Sequence, residues 1–190
     1  MRSYLWIFKT DNMLIECKLM YGPSNPLLDK IEKTYNASFP ESERRAFPLV
    51  RELVRSESRF KVYVLFKDQE YVGFITAWHF VGFTYVEHFA VDASVRNGGI
   101  GRMAMQLFMA SCDMPIVLEV EMPTEEICVR RIGFYERLGY VLDNHKYFQP
   151  PYRKGEPLLE LRLMTYGKLD LEQSFEKIRD ILYRYVYKYQ

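Results

Sequence analysis

The sequence predicts an α/β (α+β) domain: a mixed, mostly antiparallel seven-stranded sheet with helices on both faces and a C-terminal helix. Three observations carry that prediction. Three β-rich runs, 60–66, 71–80 and 83–91, follow one another with only short turns such as Lys67-Asp68-Gln69-Glu70 between them, as antiparallel hairpins do. The glycine-rich stretch Gly98-Gly99-Ile100-Gly101 then opens a run in which Ile100, Met103, Ala104, Leu107 and Phe108 recur at helical spacing. After it come a strand, a helix, two more strands and a last helix. At 190 residues the chain is the length of one domain with a sizeable core, here taken as 1–190.

Taken in order, residues 1–12 form an N-terminal extension, either an edge strand or a loose arm. Residues 13–20 read as the first strand of the sheet. Asn25-Pro26 marks a helix start, with proline at the first helical position, and Leu27, Leu28, Ile31 and Tyr35 give that helix its apolar face. The segment Phe39-Pro40-Glu41-Ser42-Glu43-Arg44-Arg45 interrupts it, and a second helix runs to about Ser56. Beyond the glycine loop, 116–121 is a strand. Thr124 is placed to cap the next helix, and Gly139 to close it in a left-handed conformation. Residues 140–148 and 158–165 are the last strands. Asp170 with Gln173 caps the C-terminal helix of 169–190, whose apolar stripe is Leu171, Phe175, Ile178, Leu182, Tyr185 and Tyr189.

Composition excludes several functions. A net charge of +1 gives no bulk attraction to nucleic acid or to an acidic membrane. No stretch approaches the ~20 apolar residues of a membrane span. The apolar run at the N-terminus is broken by Lys9 and Asp11 and is too short for a secretory signal. A cytoplasmic protein is expected, monomeric or homodimeric. Cys17, Cys112 and Cys128 lack metal or redox spacing and read as buried, reduced thiols. His79, His88 and His145 have no ligand spacing, so no metal is expected.

The chemistry lies at the glycine loop. Glycines at a helix start leave the first amide N–H groups bare, and those donors, with the positive end of the helix dipole, attract anions. Arg96 and Arg102 add full charges, so a phosphate-bearing ligand is expected. A P-loop is excluded, because no Lys-Ser or Lys-Thr follows the glycines. Gly99, Gly101 and Ala104 do spell the dinucleotide fingerprint Gly-x-Gly-x-x-Gly/Ala, with Glu119 or Glu121 near the ribose-binding distance. In that fold, however, the first glycine follows its strand at once, whereas here the seven residues Asp92 to Gly98 intervene.

Arg96-x-x-Gly99-x-Gly101 resembles the Arg/Gln-x-x-Gly-x-Gly/Ala loop of the GNAT superfamily of N-acetyltransferases, which holds the pyrophosphate of acetyl-CoA. Leu118-Glu119-Val120-Glu121 resembles that family's fifth strand, and Arg130 to Tyr140 its Tyr-bearing fourth helix. The resemblance covers about 60–165. It implies acetyl-CoA as co-substrate, gripped by Arg96, Asn97, Gly98, Gly99, Ile100, Gly101 and Arg102. The backbone of Phe89, Ala90 and Val91 would pair with the pantetheine arm. The reaction implied is direct attack by a primary amine on the thioester in a ternary complex.

Such a transfer sets its own requirements. An amine of pKa ~10.4 is neutral in only about one molecule in two thousand at pH 7, so a base is useful. The leaving thiolate takes up a proton. By the resemblance Tyr135 is the acid and Glu87 the first choice of base, with Glu119 and Glu121 in reserve. Strand alternation places Glu87 and His88 on opposite faces. By the same resemblance the acceptor, a small-molecule or peptide amine, is expected against Phe39, Glu41, Glu121, Tyr147 and Tyr152. Two rivals stay open: a CoA-binding regulatory module without turnover, and a nicotinamide-dinucleotide oxidoreductase.

Overall fold

Nine strands and five α-helices are found among the described residues, which in this computed structural model are 5–10, 13–95 and 98–189. By its internal contacts the chain divides into two compact units, Met1–Asp113 and Met114–Gln190.

In the first unit the hairpins of the sequence become a five-stranded antiparallel array: β1 (Leu5–Thr10), β2 (Met13–Met20), β3 (Phe60–Lys67), β4 (Glu70–Phe80) and β5 (Phe83–Val91). The β3–β4 turn places Asp68 and Gln69 at positive φ, 48° and 71°, the twist that suits a two-residue hairpin. α1 (Leu27–Ser38) starts where expected. Its N-cap is Pro26, one position before the first helical residue, and the preceding Asn25 Oδ1 accepts the Leu27 N–H at 3.0 Å. α2 (Phe47–Ser56) and α3 (Ile100–Ser111) complete the unit.

Tyr63 and Val64 are successive residues of β3 and face opposite ways. Tyr63 packs edge-on to Phe108 of α3, with centroids 5.1 Å apart. Phe74, opposite Val64, packs 6.0 Å from Tyr35 of α1. Helices therefore cover both faces of β3 and β4, and Phe74, Ile75, Trp78 and Tyr85 are fully buried. Each such side chain contributes about 1.5–3 kcal/mol of transfer free energy.

In the second unit β6 (Ile116–Glu121) lies antiparallel to β9 (Leu159–Tyr166). The single strand expected at 140–148 is two short strands, β7 (Val141–Leu142) and β8 (Tyr147–Gln149), both paired with β9. The break lies at Asp143, whose carboxylate accepts the His145 N–H at 2.9 Å; this local turn competes with the strand ladder. That split and β1 raise the expected seven strands to nine. α4 (Glu126–Glu136) has Glu125 at its N-cap with no side-chain cap bond, so Thr124 does not cap it. Gly139 has φ +91°, as its place after the helix requires.

α5 (Leu171–Ile181) is capped by Asp170, which accepts the Glu172 N–H at 3.0 Å. It continues as a π-helix over Leu182–Tyr187. There the buried residues are Leu182, Val186 and Tyr187, not the expected Tyr185 and Tyr189. The i→i+5 bonding of a π-turn widens each turn by one residue and moves the apolar stripe by that residue. Among the described residues no helix is long and apolar enough to cross a membrane. Cys17 and Cys128 are buried, Cys112 is half-buried, and all three are free thiols.

Candidate active site

The glycine loop is built by β5 and the turn that follows it. After Val91 the chain makes a 3-10 turn, Ala93–Val95, fixed by Asp92. That carboxylate accepts the N–H and hydroxyl of Ser94 at 3.0 and 2.7 Å and the Thr34 hydroxyl at 3.0 Å. Arg96 and Asn97 lie outside the described residues. Gly98 and Gly99 are exposed, and Gly99 is the N-cap of α3 at φ +72°, a conformation that a side chain strains.

The first helical bond there runs from Met103 N to Gly99 O, 3.1 Å, and no side chain caps the helix. The amides of Gly99, Ile100, Gly101 and Arg102 therefore have no acceptor among the described residues. Buried Ile100 anchors the turn, and the Arg102 side chain is exposed. A Cβ on Gly101 would meet Val91 Cγ2 at 3.6 Å and Phe89 Cζ at 3.7 Å, ordinary contact. Position 101 thus has room for alanine, whereas position 99 is held to glycine by its backbone.

β5 pairs with β4 through Ile75↔Phe89, Phe74↔Ala90 and Gly73↔Val91. Gly73 is required there by proximity, since a Cβ would stand 2.3 Å from Ala90 O. Between Thr76↔His88 and Ala77↔Val86 the register shifts and leaves Glu87 as the extra residue of a β-bulge. The bulge breaks the alternation expected for Glu87 and His88: the His88 Nδ1 lies 3.9 Å from Glu87 Oε2.

Glu87 is sealed. Its side chain is 1% exposed and forms an ion pair with Arg45 Nη2. Its other oxygen accepts the Trp78 Nε1–H at 3.1 Å. Burial works against the carboxylate charge, but Arg45, with the hydrogen bonds from Arg45 and Trp78, outweighs it and holds the pKa below the ordinary range; His88 adds to this only when protonated. Burial lowers the His88 pKa in turn and keeps the ring neutral. His88 Nε2 donates to Glu43 O at 3.1 Å, and its ring lies between Tyr35 and Phe39, at 4.8 and 4.6 Å. The Tyr35 hydroxyl accepts the Arg45 N–H at 3.1 Å. Phe39 is thus a half-buried wall of this cluster, and Glu41, in the 3-10 turn Glu41–Glu43, is exposed.

In the second unit Tyr135 is 8% exposed and packs edge-on against Phe134 and Tyr140, at 5.1 and 5.4 Å. Its hydroxyl has no hydrogen-bond partner among the described residues. Burial pushes its pKa up to about 12, with Arg131 opposing and Glu121 adding to the rise. Glu121 forms an ion pair with Arg131 of α4.

Glu119 is held by donors from two elements. It accepts the hydroxyl of Tyr147, the Gln149 amide at 2.5 Å and the Tyr187 hydroxyl at 2.7 Å. Tyr147 is fully buried, and Tyr152 lies 5.2 Å ring to ring from Tyr187. The sequence reading named neither Tyr187 nor Gln149, because the π-turn that brings Tyr187 inward leaves no mark in an α-helical pattern. Arg45 stood in the right segment, but pairing it with Glu87 needed the bulge. The remaining histidines have structural partners. His79 bonds Tyr63 and Thr84 at 2.8 and 3.1 Å, and His145 stacks on Phe175 at 4.5 Å.

A family model described as an acetyltransferase (GNAT) domain matches residues 58–142, the stretch from β3 through the glycine loop to β7. A chain from Bacteroides thetaiotaomicron assigned to the GNAT acetyltransferase family is 38% identical, with a TM-score of 0.88 over 92% of this chain and 99% of that one. The chain belongs to the GNAT acetyltransferase family. It is therefore an acyltransferase, and its mixed, mostly antiparallel sheet with a C-terminal helix is the GNAT fold. Antiparallel β3, β4 and β5 ahead of the loop also set this GNAT chain apart from a dinucleotide-binding βαβ unit, so the fingerprint at Gly99, Gly101 and Ala104 is a coincidence of spacing.

Other GNAT structures share the fold at lower identity. An acetyl transferase from Salmonella typhimurium that modifies the N-terminal serine of the 50S ribosomal subunit protein L7/L12 is 16% identical, with a TM-score of 0.63 over 86% of this chain and 99% of that one. Arabidopsis thaliana Naa50, in complex with the bisubstrate analogue CoA-Ac-MVNAL, is 16% identical, with a TM-score of 0.56 over 80% of this chain and 98% of that one. No curated protein matches the sequence.

Proposed function

We propose that this single domain transfers the acetyl group of acetyl-CoA to a primary amine, by direct attack within a ternary complex. The observation that carries the cofactor is the row of four amides, Gly99 to Arg102, at the N-terminus of α3 that have no acceptor among the described residues. They and the helix dipole are suited to a pyrophosphate, and Arg102 adds charge; Arg96 and Asn97 belong to the same loop by sequence. The backbone of Phe89, Ala90 and Val91 is assigned to the pantetheine arm in the manner of an added strand. A backbone N–H there stabilises the oxygen of the thioester as charge develops on it.

The amine lone pair attacks the carbonyl carbon, the carbon–sulfur bond breaks, and the sulfur leaves with the bonding electrons. Tyr135 is assigned the proton that the thiolate takes up. Its support is a hydroxyl that stays protonated up to a pKa of about 12 and has no partner among the described residues. The amine gives up its own proton to solvent or to a base. For the acceptor we favour a peptide or protein amine, on the strength of the Salmonella and Arabidopsis relatives, with Phe39, Glu41, Glu121, Tyr147 and Tyr152 as the residues offered to it.

The test is CoA release from acetyl-CoA, read as free thiol, across peptides with different N-termini and a set of small amines. Each positive is checked by mass for the acetylated acceptor. Acetylated product with one molar equivalent of CoA supports the proposal. Tight acetyl-CoA binding with no turnover on any acceptor would leave a CoA-binding module instead.

A further inference from the structure

A general base needs a carboxylate that can reach the amine or a water. Glu87 has neither property here. Its side chain is 1% exposed; one oxygen is engaged by Arg45 and the other by Trp78 Nε1. The groups around it come from every element packed against it. Arg45 and Arg44 follow the 3-10 turn, Tyr35 comes from α1, Trp78 from β4, and His88 is the next residue on β5. Two of them, His88 and Arg45, tie β5 to the chain segment 39–45, while Tyr35 ties that segment to α1 and Trp78 ties Glu87 to β4. His88 holds Glu43 O, Arg45 pairs with Glu87, the Arg45 N–H meets the Tyr35 hydroxyl, and Arg44 Nε donates to Phe39 O at 2.9 Å. The bulge at Glu87 is what turns two successive side chains toward one segment.

From this geometry we infer that Glu87 is a positioning residue: with Arg45 it fastens segment 39–45 to the bulge of β5, and it does not accept the proton of the acceptor amine. The role in acceptor binding rests on the acetyltransferase reading given above; the fastening itself does not. An Arg–carboxylate pair is suited to the task because its two ends belong to residues 42 positions apart in the chain. It has also a directional, two-ended geometry that apolar packing lacks.

The decisive experiment is a double-mutant cycle with rescue. In Glu87→Gln a buried guanidinium loses its counter-charge; in Arg45→Met a buried carboxylate does. Glu87→Gln/Arg45→Met leaves no charge to desolvate. There the Gln oxygen still accepts from Trp78, and Met fills the volume of the arginine stem. Each single change should raise the acceptor KM by about tenfold, and the double change should return it to within about threefold of the original. The kcat and its pH profile should stay unchanged in the double variant, as should the acetyl-CoA Kd.

Amide hydrogen exchange over 39–45 supplies a readout that needs no substrate. It should quicken by about tenfold or more in the single variants and slow again in the double. If Glu87 were the base, both variants carrying Gln would lose about a hundredfold or more in kcat, with no rescue and with the acidic limb of the profile gone. That result overturns the inference, as does unchanged exchange over 39–45 in both single variants. Failure of the acetyltransferase reading is told apart, because it would show as absence of turnover in the unaltered protein while the exchange pattern stood.

Discussion

The two ends of the stretch 87–102 treat their polar groups in opposite ways. At the β5 bulge a carboxylate, a guanidinium, an indole N–H and an imidazole are packed out of water and matched to one another. At the N-terminus of α3 four amide donors in succession have no acceptor among the described residues. A buried polar group left unmatched costs free energy, whereas an exposed one is met by water or by a ligand. The lesson is that chemically suggestive side chains packed away from water and paired with one another argue for structure. Plain backbone left open at a helix start argues for binding.

That contrast is open to breakage in several places, and the largest effect is expected at the bulge. Arg45→Met alone leaves Glu87 buried without its counter-ion and should lower stability by about 3–5 kcal/mol, read by urea unfolding. A loss below ~1 kcal/mol would mean that the cluster is wet and open after all. Next in size is Tyr135→Phe. Removing a proton donor should lower kcat by about a hundredfold, which is ~2.7 kcal/mol of barrier, with acetyl-CoA Kd unchanged. An unchanged kcat across several acceptors would remove Tyr135 from the mechanism.

Smaller changes sharpen the loop end. Gly99→Ala forces a side chain into φ +72°, at a cost of about 1–2 kcal/mol, and should weaken acetyl-CoA binding measured by calorimetry. Gly101→Ala meets only ordinary contacts and should stay within ~0.5 kcal/mol of the original or gain slightly from helix propensity. A large loss at 101 would show that the helix start is tighter than its contacts imply.

Acidity tests the Glu87 and Tyr135 assignments separately. The Glu87 pKa lies below its unfolded value of ~4.3. The unfolded chain therefore binds its proton first as pH falls. The stability contributed by the ionised form is present above that value and is lost as pH falls through the folded pKa. Glu87→Gln/Arg45→Met should lack this part of the acid transition. Tyr135, raised to about 12, should add no alkaline decline to kcat below pH ~10.

Much of the fold was legible because it rests on side-chain periodicity. β2 and β6 have the boundaries that their alternation predicts, and the glycine loop opens α3 where the spacing of Ile100, Ala104 and Phe108 begins. What escaped was backbone bookkeeping. One inserted residue at Glu87 brought two successive side chains to the same side. One Asx turn at Asp143 cut a strand in two, and one π-turn moved the C-terminal stripe from Tyr185 to Val186 and Tyr187. Each changes the phase of a pattern without changing the residue types that compose it. The loop was therefore readable in advance, and the surroundings of Glu87 and Glu119 were not.

The central claim is that the amides of Gly99, Ile100, Gly101 and Arg102, which have no acceptor among the described residues, receive the pyrophosphate of acetyl-CoA. A titration with acetyl-CoA followed by amide NMR tests it directly. The account predicts downfield shifts and slowed exchange at these four amides, with the Glu43, Arg45 and Glu87 amides little changed. Saturable binding that leaves the four amides untouched would contradict it.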